Sequence, residues 1–225
     1  MPNSQKDNSD RNLRISAFDL DHTLINDNAS YRFGRFLCRK KCLSFRSLLF
    51  IISISLLYRT GLLSIETLHK KAFNRLFLGR SAAEIRAWAI LFVQENLENI
   101  LYLPAIAALR KGQKEGHLAA LLSSSPDFLV EPIAAYLEIP IWHATTYAVD
   151  KYGNFCHIAC LMLGEQKKLL LQSMGKRLGV PVERIYAYSD SYLDLPFLQA
   201  SGHPVGVHPD RRLRKICKHH RWLII

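Results

Sequence analysis

The sequence predicts an α/β fold in which a doubly wound, mostly parallel β-sheet carries an inserted helical cap. Over residues 112–225, short apolar runs alternate with helical patterns, which is typical of a parallel sheet covered on both faces. One further apolar run stands apart at residues 14–18, near the start of the chain. Between these two parts, roughly eighty residues have helical periodicity and no convincing strand, so this block is predicted to be an insertion.

These patterns divide the 225 residues into three parts. Residues 1–12 are polar and of mixed charge, so a flexible tail is predicted there, without the apolar segment of a secretory signal. Residues 13–28 and 112–225 are predicted to form the core domain, and residues 29–111 the helical cap. Apolar residues make up 49% of the chain, which is enough to bury a core and excludes a disordered protein.

The first strand is predicted directly before the helical block. Residues 14–18 are predicted to form a short buried strand, because the segment is too short for a helix and is followed at once by polar residues. In the helical block, Ser64 and Ser81 stand where helices begin, and Glu84 lies three residues after Ser81, as in a capping box. Residues 47–57 are almost wholly apolar, which predicts one further helix of the cap.

The carboxyl-terminal part alternates between strands and helices. The run from His117 to Ser123 predicts a strand, and a helix is predicted to start at Pro126. Two strand-like runs flank the turn "KYGN", which predicts a hairpin. The later predicted elements are a helix over "GEQKKLLLQSMGKRLGV" that stops near Gly179, a strand over "RIYAYSD", a short helix over "YLDLPFLQASG" and a strand over "HPVGV".

The net charge of +11 indicates anionic partners, such as phosphorylated metabolites, nucleic acid or an acidic membrane surface. No nucleic-acid-binding motif accompanies the basic residues near the carboxyl end, so no specific nucleic acid is expected. Five cysteines are an odd number for a disulfide framework and favour a reducing compartment, which predicts a cytoplasmic protein.

Polar residues follow several predicted strands, at the edge of the sheet where ligands bind in open α/β folds. Two aspartates, Asp19 and Asp21, end the first strand, and two like charges at this position need a cation or a proton-transfer role. Mg²⁺ fits, because it takes one or two protein carboxylates and completes its shell with water and phosphate. The candidate residues are Asp19, Asp21, Ser123, Ser124, Lys167, Lys168, Asp190 and Asp194.

Four segments are similar, in the same order, to the motifs of the haloacid dehalogenase-like superfamily. "FDLDHTL" resembles its DxDxT motif, "LLSSSP" its apolar strand ending in Ser or Thr, "GEQK" its lysine motif and "YSDSYLD" its acidic motif. The resemblance implies the Rossmann-like core of this superfamily. It also implies a Mg²⁺-dependent phosphatase that hydrolyses a phosphomonoester through an aspartyl-phosphate intermediate, because the dehalogenases of the superfamily lack an equivalent of Asp21.

The resemblance implies a role for each candidate residue. Asp19 is expected to be the nucleophile and Asp21 the general acid and base, and Lys167 is expected to neutralise the nucleophile and the phosphate. Lys168 stays an alternative to Lys167, since the two are adjacent. The residues expected at the substrate phosphate are Thr23, Ser123, Ser124 and Lys167. The residues expected at the metal are Asp19, Asp21 with its backbone carbonyl, Asp190 and, in support, Asp194.

The insertion resembles the helical cap of the phosphoserine phosphatase-like subfamily, which selects the substrate. Phosphoserine is not favoured, because Asn28 stands where phosphoserine phosphatases have a glutamate that binds the amino group. Residues 48–57 are apolar with basic flanks, as in the phosphatidylglycerophosphatase branch of the subfamily. This segment is interpreted either as a buried cap helix or as an interfacial helix at an anionic membrane.

The expected substrate is therefore a small phosphorylated metabolite or a lipid-linked phosphate such as phosphatidylglycerophosphate. In the second case, the protein is expected to make peripheral contact with the inner face of an anionic membrane. Two other functions fit the same fold: a non-catalytic protein that binds lipid or nucleic acid, and a phosphotransferase that passes the phosphoryl group to an alcohol.

Overall fold

The computed structural model describes residues 12–225, and the tail predicted at residues 1–12 lies, except for its last residue, outside them. A seven-stranded sheet has the order β4-β3-β2-β1-β5-β6-β7, and its neighbours are parallel except for β3 and β4. The strands are β1 (Ile15–Phe18), β2 (Leu118–Pro126), β3 (Ile141–Val149), β4 (Phe155–Cys160), β5 (Ile185–Ser189), β6 (His203–Gly206) and β7 (Leu223–Ile224). The predicted fold class and the predicted hairpin are confirmed.

Helices cover both faces of this sheet. Five of them lie between β1 and β2: α1 (Ala29–Arg39), α2 (Phe45–Arg59), α3 (Ile65–Leu76), α4 (Ala82–Asn96) and α5 (Leu103–Lys114). The later helices are α6 (Asp127–Tyr136), α7 (Gly164–Leu178), α8 (Leu195–Gln199) and α9 (Arg211–His220). The helical character predicted for the insertion is therefore confirmed, and the helix predicted to stop near Gly179 does so.

Side-chain caps fix the beginnings of the cap helices. The Ser64 hydroxyl accepts a hydrogen bond from the Thr67 amide, and the Ser81 hydroxyl accepts one from the Glu84 amide, as the sequence predicts. At the end of β2 the prediction is wrong by a few residues. The strand continues to Pro126 after an irregularity that begins at Ser123, so α6 starts one residue later than predicted.

Two apolar clusters lie on opposite faces of the sheet. One of them joins the cap to the core, because the Phe33 ring of α1 lies 5.6 Å from that of Phe92 and 5.8 Å from that of Phe128. The other contains Ile15, Leu171 and further residues of α7, α8 and α9. The limits of the cap at residues 29 and 111 stay a prediction, since the first cluster runs continuously from the cap helices into the sheet.

Helix α2 differs from the other cap helices in its exposure. Of its 15 residues, Ser47 and Ile54 are buried, although the sequence is almost wholly apolar. The interpretation of residues 48–57 as a buried helix is therefore wrong. Within the described residues, no helix has the length and apolar character needed to cross a membrane.

Candidate active site

The carboxyl ends of three neighbouring strands bring the predicted site residues to one edge of the sheet. Phe18, the last residue of β1, pairs with Leu121 of β2 on one side and with Tyr188 of β5 on the other. Asp19 follows Phe18 directly, and the Asp19 amide donates a hydrogen bond to the Tyr188 carbonyl at 2.9 Å. Because the strands are parallel, Ser123 and Asp190 lie at the same edge as Asp19.

Lys167 connects the first strand to the acidic segment after β5. Its buried ammonium donates to Asp19 Oδ1 at 2.6 Å and to Asp194 Oδ2 at 2.7 Å. The Ser189 hydroxyl donates to the same Asp194 oxygen at 2.8 Å, which adds a partner to a carboxylate that is hidden from water. Lys168 instead pairs with Glu165 at 2.9 Å near the surface, so Lys167 is the one of the two lysines that lies beside the carboxylates.

A glycine permits the approach of α7 that places Lys167. A Cβ atom at Gly164 would lie 2.1 Å from the Leu193 carbonyl oxygen, which is far inside van der Waals contact. The helix therefore rests directly on the short turn that carries Asp194. The glycine of the "GEQK" segment is needed for this packing, and the packing puts the lysine beside the two carboxylates.

Asp21 has partners that differ from those of Asp19. Its Oδ1 accepts a hydrogen bond from the Ala29 amide at 2.6 Å, and its Oδ2 accepts one from the Ser125 hydroxyl at 2.7 Å. Ser125 also lies 3.1 Å from the Ser30 hydroxyl of α1. Ser125 is not among the predicted site residues, because its place in a run of three serines gives no signal that could distinguish it.

Thr23 ties the loop after β1 to the segment after β5. Its hydroxyl accepts a hydrogen bond from the Asp190 amide at 3.1 Å and donates to Asp190 Oδ1 at 3.4 Å. Ser123 is buried and its hydroxyl accepts from the Ser125 amide at 3.1 Å. Ser124 contacts β3 through its backbone, because its carbonyl accepts a hydrogen bond from the Thr145 hydroxyl at 2.8 Å.

The site holds more buried negative charge than Lys167 can balance. Burial, opposed by Lys167 and reinforced by Asp194 and Asp21, raises the pKa of Asp19 to about 7. Burial and the charges of Asp19 and Asp194 raise the pKa of Asp190 to about 8. Burial lowers the pKa of Lys167, but the two carboxylates beside it outweigh this and raise it above the usual lysine value.

The four predicted metal residues do not all turn their carboxylates to one point. Within residues 12–225, no three acidic, histidine or cysteine side chains form a cluster that could hold a metal by themselves. Asp21 and Asp194 use their carboxylates for the hydrogen bonds described above. The carboxylates of Asp19 and Asp190 fit Mg²⁺ together with the Asp21 carbonyl, because this ion needs few protein ligands and retains water.

Proteins of similar sequence align with most of this chain. A phosphoserine phosphatase of Mycobacterium tuberculosis is 27% identical over 212 residues, which are 92% of this chain and 68% of the relative. A histidinol-phosphatase of Neisseria meningitidis serogroup C is 28% identical over an alignment of 244 positions, and the alignment covers 96% of this chain and 98% of the relative. These similarities extend across both the cap and the core.

Solved structures share the fold. A protein of unknown function from Bordetella pertussis Tohama I has a TM-score of 0.81 at 25% identity, over 94% of this chain and 97% of its own. A phosphoserine phosphatase with bound substrate has a TM-score of 0.67 at 16% identity, over 94% of this chain and 92% of its own. The predicted resemblance to phosphoserine phosphatases is confirmed. The family model of the haloacid dehalogenase-like hydrolases matches residues 17–199, and the chain therefore belongs to this family of enzymes.

Proposed function

We propose that the protein is a Mg²⁺-dependent phosphatase that hydrolyses a phosphomonoester through a phosphorylated Asp19. The observation that supports this most strongly is the contrast between the two aspartates of "FDLDHTL". Asp19 contacts the Lys167 ammonium, whereas Asp21 accepts hydrogen bonds from Ala29 and Ser125. A carboxylate beside a fixed cation suits nucleophilic attack, and a separate carboxyl group suits proton transfer.

In the first half of the reaction, an Asp19 carboxylate oxygen attacks phosphorus, and the bond from phosphorus to the leaving oxygen breaks. Asp21 donates its proton to that leaving oxygen, which departs as an alcohol. Burial raises the pKa of Asp21, which favours the protonated form that this step needs. Lys167 and the hydroxyl of Ser123 stabilise the negative charge on the phosphoryl oxygens.

In the second half, Asp21 accepts a proton from a water molecule while the oxygen of that water attacks phosphorus. The bond from phosphorus to the Asp19 oxygen breaks, which releases inorganic phosphate and regenerates both carboxyl groups. Mg²⁺ bound by Asp19, Asp190 and the Asp21 carbonyl would neutralise charge on the phosphoryl group. Asp194 and Ser189 hold Lys167 in position throughout.

The loop before α1 argues against phosphoserine as the substrate. The Asn28 side chain caps α1 by accepting a hydrogen bond from the Tyr31 amide at 2.9 Å. The neighbouring Asp27 carboxylate binds Arg32 and the Asn28 amide. Both side chains therefore have structural partners, and neither replaces the glutamate that binds the substrate amino group in phosphoserine phosphatases.

A narrow apolar groove in the cap, with a volume of about 10 Å³, lies near Asp21 and has room for about one water molecule. The groove reaches Ser30, which lies two hydrogen bonds from Asp21 by way of Ser125. Its other lining residues lie on α1, α2, α3 and the segment after α1; they are Tyr31, Gly34, Cys38, Leu43, Leu48, Ile51 and Leu76. A lipid-linked phosphate such as phosphatidylglycerophosphate is favoured instead by the exposed apolar side chains of α2, such as Phe45 and Leu56, which a small polar metabolite would not use.

The test is phosphate release by the purified full chain with Mg²⁺. Short-chain lipid phosphates and small phosphorylated metabolites are compared, with Asp19→Asn as the inactive variant. We expect release from both a generic phosphomonoester and the lipid phosphates, with the higher kcat/KM for the lipid phosphates. Full activity of Asp19→Asn would refute the mechanism, and release from small polar metabolites alone would refute the lipid substrate. Transfer of the phosphoryl group to an added alcohol would instead identify a phosphotransferase.

A further inference from the structure

One face of α2 carries a continuous row of exposed apolar side chains. Phe45, Leu49, Ile52 and Leu56 retain 66%, 49%, 44% and 61% of their accessible surface. Their spacing of four, three and four residues places them on one side of the helix. We call these four residues the α2 stripe. Leu62, which follows the helix, is also exposed and extends the apolar surface.

The opposite face of α2 already provides the contacts that hold the helix in the cap. Ile54 is buried, and Leu48 and Ile51 line the groove with Gly34 of α1. The Arg75 guanidinium of α3 lies 5.8 Å from the centre of the Phe50 ring of α2, which adds a contact between the two helices. The α2 stripe is therefore not needed to attach the helix, and its row of apolar side chains stays in contact with water.

Almost all of the net positive charge lies in the same part of the cap. Residues 29–80 contain eleven lysines and arginines and one acidic residue, Glu66, which gives this segment +10 of the total +11. Arg46 and Arg59 are exposed at the two ends of α2. An exposed apolar row with cations at its flanks is the pattern of a helix that lies in a membrane interface.

We propose that the α2 stripe docks the cap on the surface of an anionic lipid bilayer. The helix would lie in the plane of the interface, with Phe45, Leu49, Ile52 and Leu56 among the acyl chains and Arg46 and Arg59 at the headgroups. A second copy of the chain fits less well, because pairing two such surfaces would bring two segments of +10 together. This docking goes beyond the proposed hydrolysis and does not require it.

Flotation with vesicles tests the proposal on the full chain. Vesicles of phosphatidylcholine alone are compared with vesicles of phosphatidylcholine mixed with phosphatidylglycerol, at low and high salt. We expect binding to the mixed vesicles, which weakens as salt screens the charges, and little binding to the neutral ones. The double variant Leu49→Gln/Ile52→Gln is expected to bind the mixed vesicles about tenfold more weakly.

Matched control variants separate docking from general changes of the surface. Ile90→Gln/Leu103→Gln changes two exposed apolar residues outside α2 and should bind like the wild type. Arg46→Gln/Arg59→Gln should weaken binding, whereas Arg211→Gln/Arg214→Gln changes two exposed cations of α9 and should not. Circular dichroism shows that each variant is folded. Hydrolysis of a water-soluble ester, measured separately, reports on the proposed function, so failure of either proposal is recognised by itself.

Three results would overturn the docking proposal. The first is the absence of wild-type binding to the mixed vesicles. The second is equal binding of these vesicles by the wild type and Leu49→Gln/Ile52→Gln. The third is a concentration-dependent dimer of the wild type that this variant abolishes, which would identify a second copy as the occupant.

Discussion

The edge of the sheet and the outer face of α2 break the usual distribution of side chains in opposite ways. At the edge, Asp19, Lys167 and Asp194 are charged and buried, and each has a partner within 2.7 Å. On α2, Phe45 and Leu56 are apolar and exposed, although the chain has a core in which to bury such residues. Buried charge is costly without partners, and exposed apolar rows are costly without a covering surface.

The difference between the two regions lies in where compensation comes from. At the edge, the chain supplies most of it, because Lys167 and Ser189 bind carboxylates that burial would otherwise leave unpaired. Burial and the charges of Asp19 and Asp194 raise the pKa of Asp190, and the proposed Mg²⁺ would offset the repulsion between these carboxylates. On α2, the described part of the chain supplies nothing that covers the stripe, and the proposed bilayer would supply the covering surface.

The largest effect is expected from removing the ammonium at the edge. Lys167→Met should lower the rate of phosphate release by about a thousandfold or more, because the fixed cation beside the nucleophile is lost. Lys168→Met is the matched control, since it removes only a partly exposed pair with Glu165 and should keep the wild-type rate. Equal losses in the two variants would contradict the assignment of Lys167.

A smaller effect is expected from moving Lys167 without removing it. Gly164→Ala would force α7 away from the Leu193 carbonyl and should lower the rate by about a hundredfold, with about 1–3 kcal/mol of lost stability. Gly34→Ala is the control, because a Cβ there meets its nearest atom, a methyl carbon of Leu48, at 4.0 Å. That variant should keep its rate on a water-soluble ester and gain stability in the helix.

The sequence predicted the edge well, because strand ends in a parallel sheet leave a strong local pattern. Asp19, Asp190 and the pair Lys167 and Lys168 could be placed at one edge from the order of strands and helices, and the resemblance of "GEQK" to the lysine motif favoured Lys167. Ser125 could not be identified, because the irregularity in β2 after Ser123 decides which serine of three turns to Asp21. That irregularity depends on packing between strands, which no local pattern reveals.

The burial of α2 could not be predicted for a different reason. Its residues are apolar around most of the helix, so the periodicity that identifies a buried face is absent. Only the neighbouring helices decide that Ile54 is buried and Ile52 is exposed. Composition thus predicted that the segment is a helix, and tertiary contacts determined which face is exposed.

An intermediate effect is expected from changing a partner of Asp21. Ser125→Ala removes a hydrogen bond that positions the Asp21 carboxyl group, so the rate should fall about tenfold. The same bond favours the ionised carboxylate, so the pKa of Asp21 should rise further. The basic limb of the pH–rate profile, where Asp21 loses the proton that it donates in the first step, should move to higher pH. Ser30→Ala removes a group one hydrogen bond further away and should move the profile less. A lower rate with an unchanged pH profile would exclude this effect on the pKa of Asp21.

The smallest effect, and the one that tests whether the edge needs a cation, concerns stability against pH. The pKa values of Asp19 and Asp190, about 7 and about 8, lie above the ordinary value of 3.8, so the metal-free folded state holds protons that the unfolded state has lost. The free energy of unfolding should therefore fall as the pH rises from about 7 to about 8, and Mg²⁺ should restore it more at the higher pH. Thermal unfolding at both pH values, with Mg²⁺ or a chelator, measures this.

Asp190→Asn should lose most of the pH dependence and most of the Mg²⁺ response. A wild-type protein that gains stability over this range in the chelator would contradict the excess of buried negative charge.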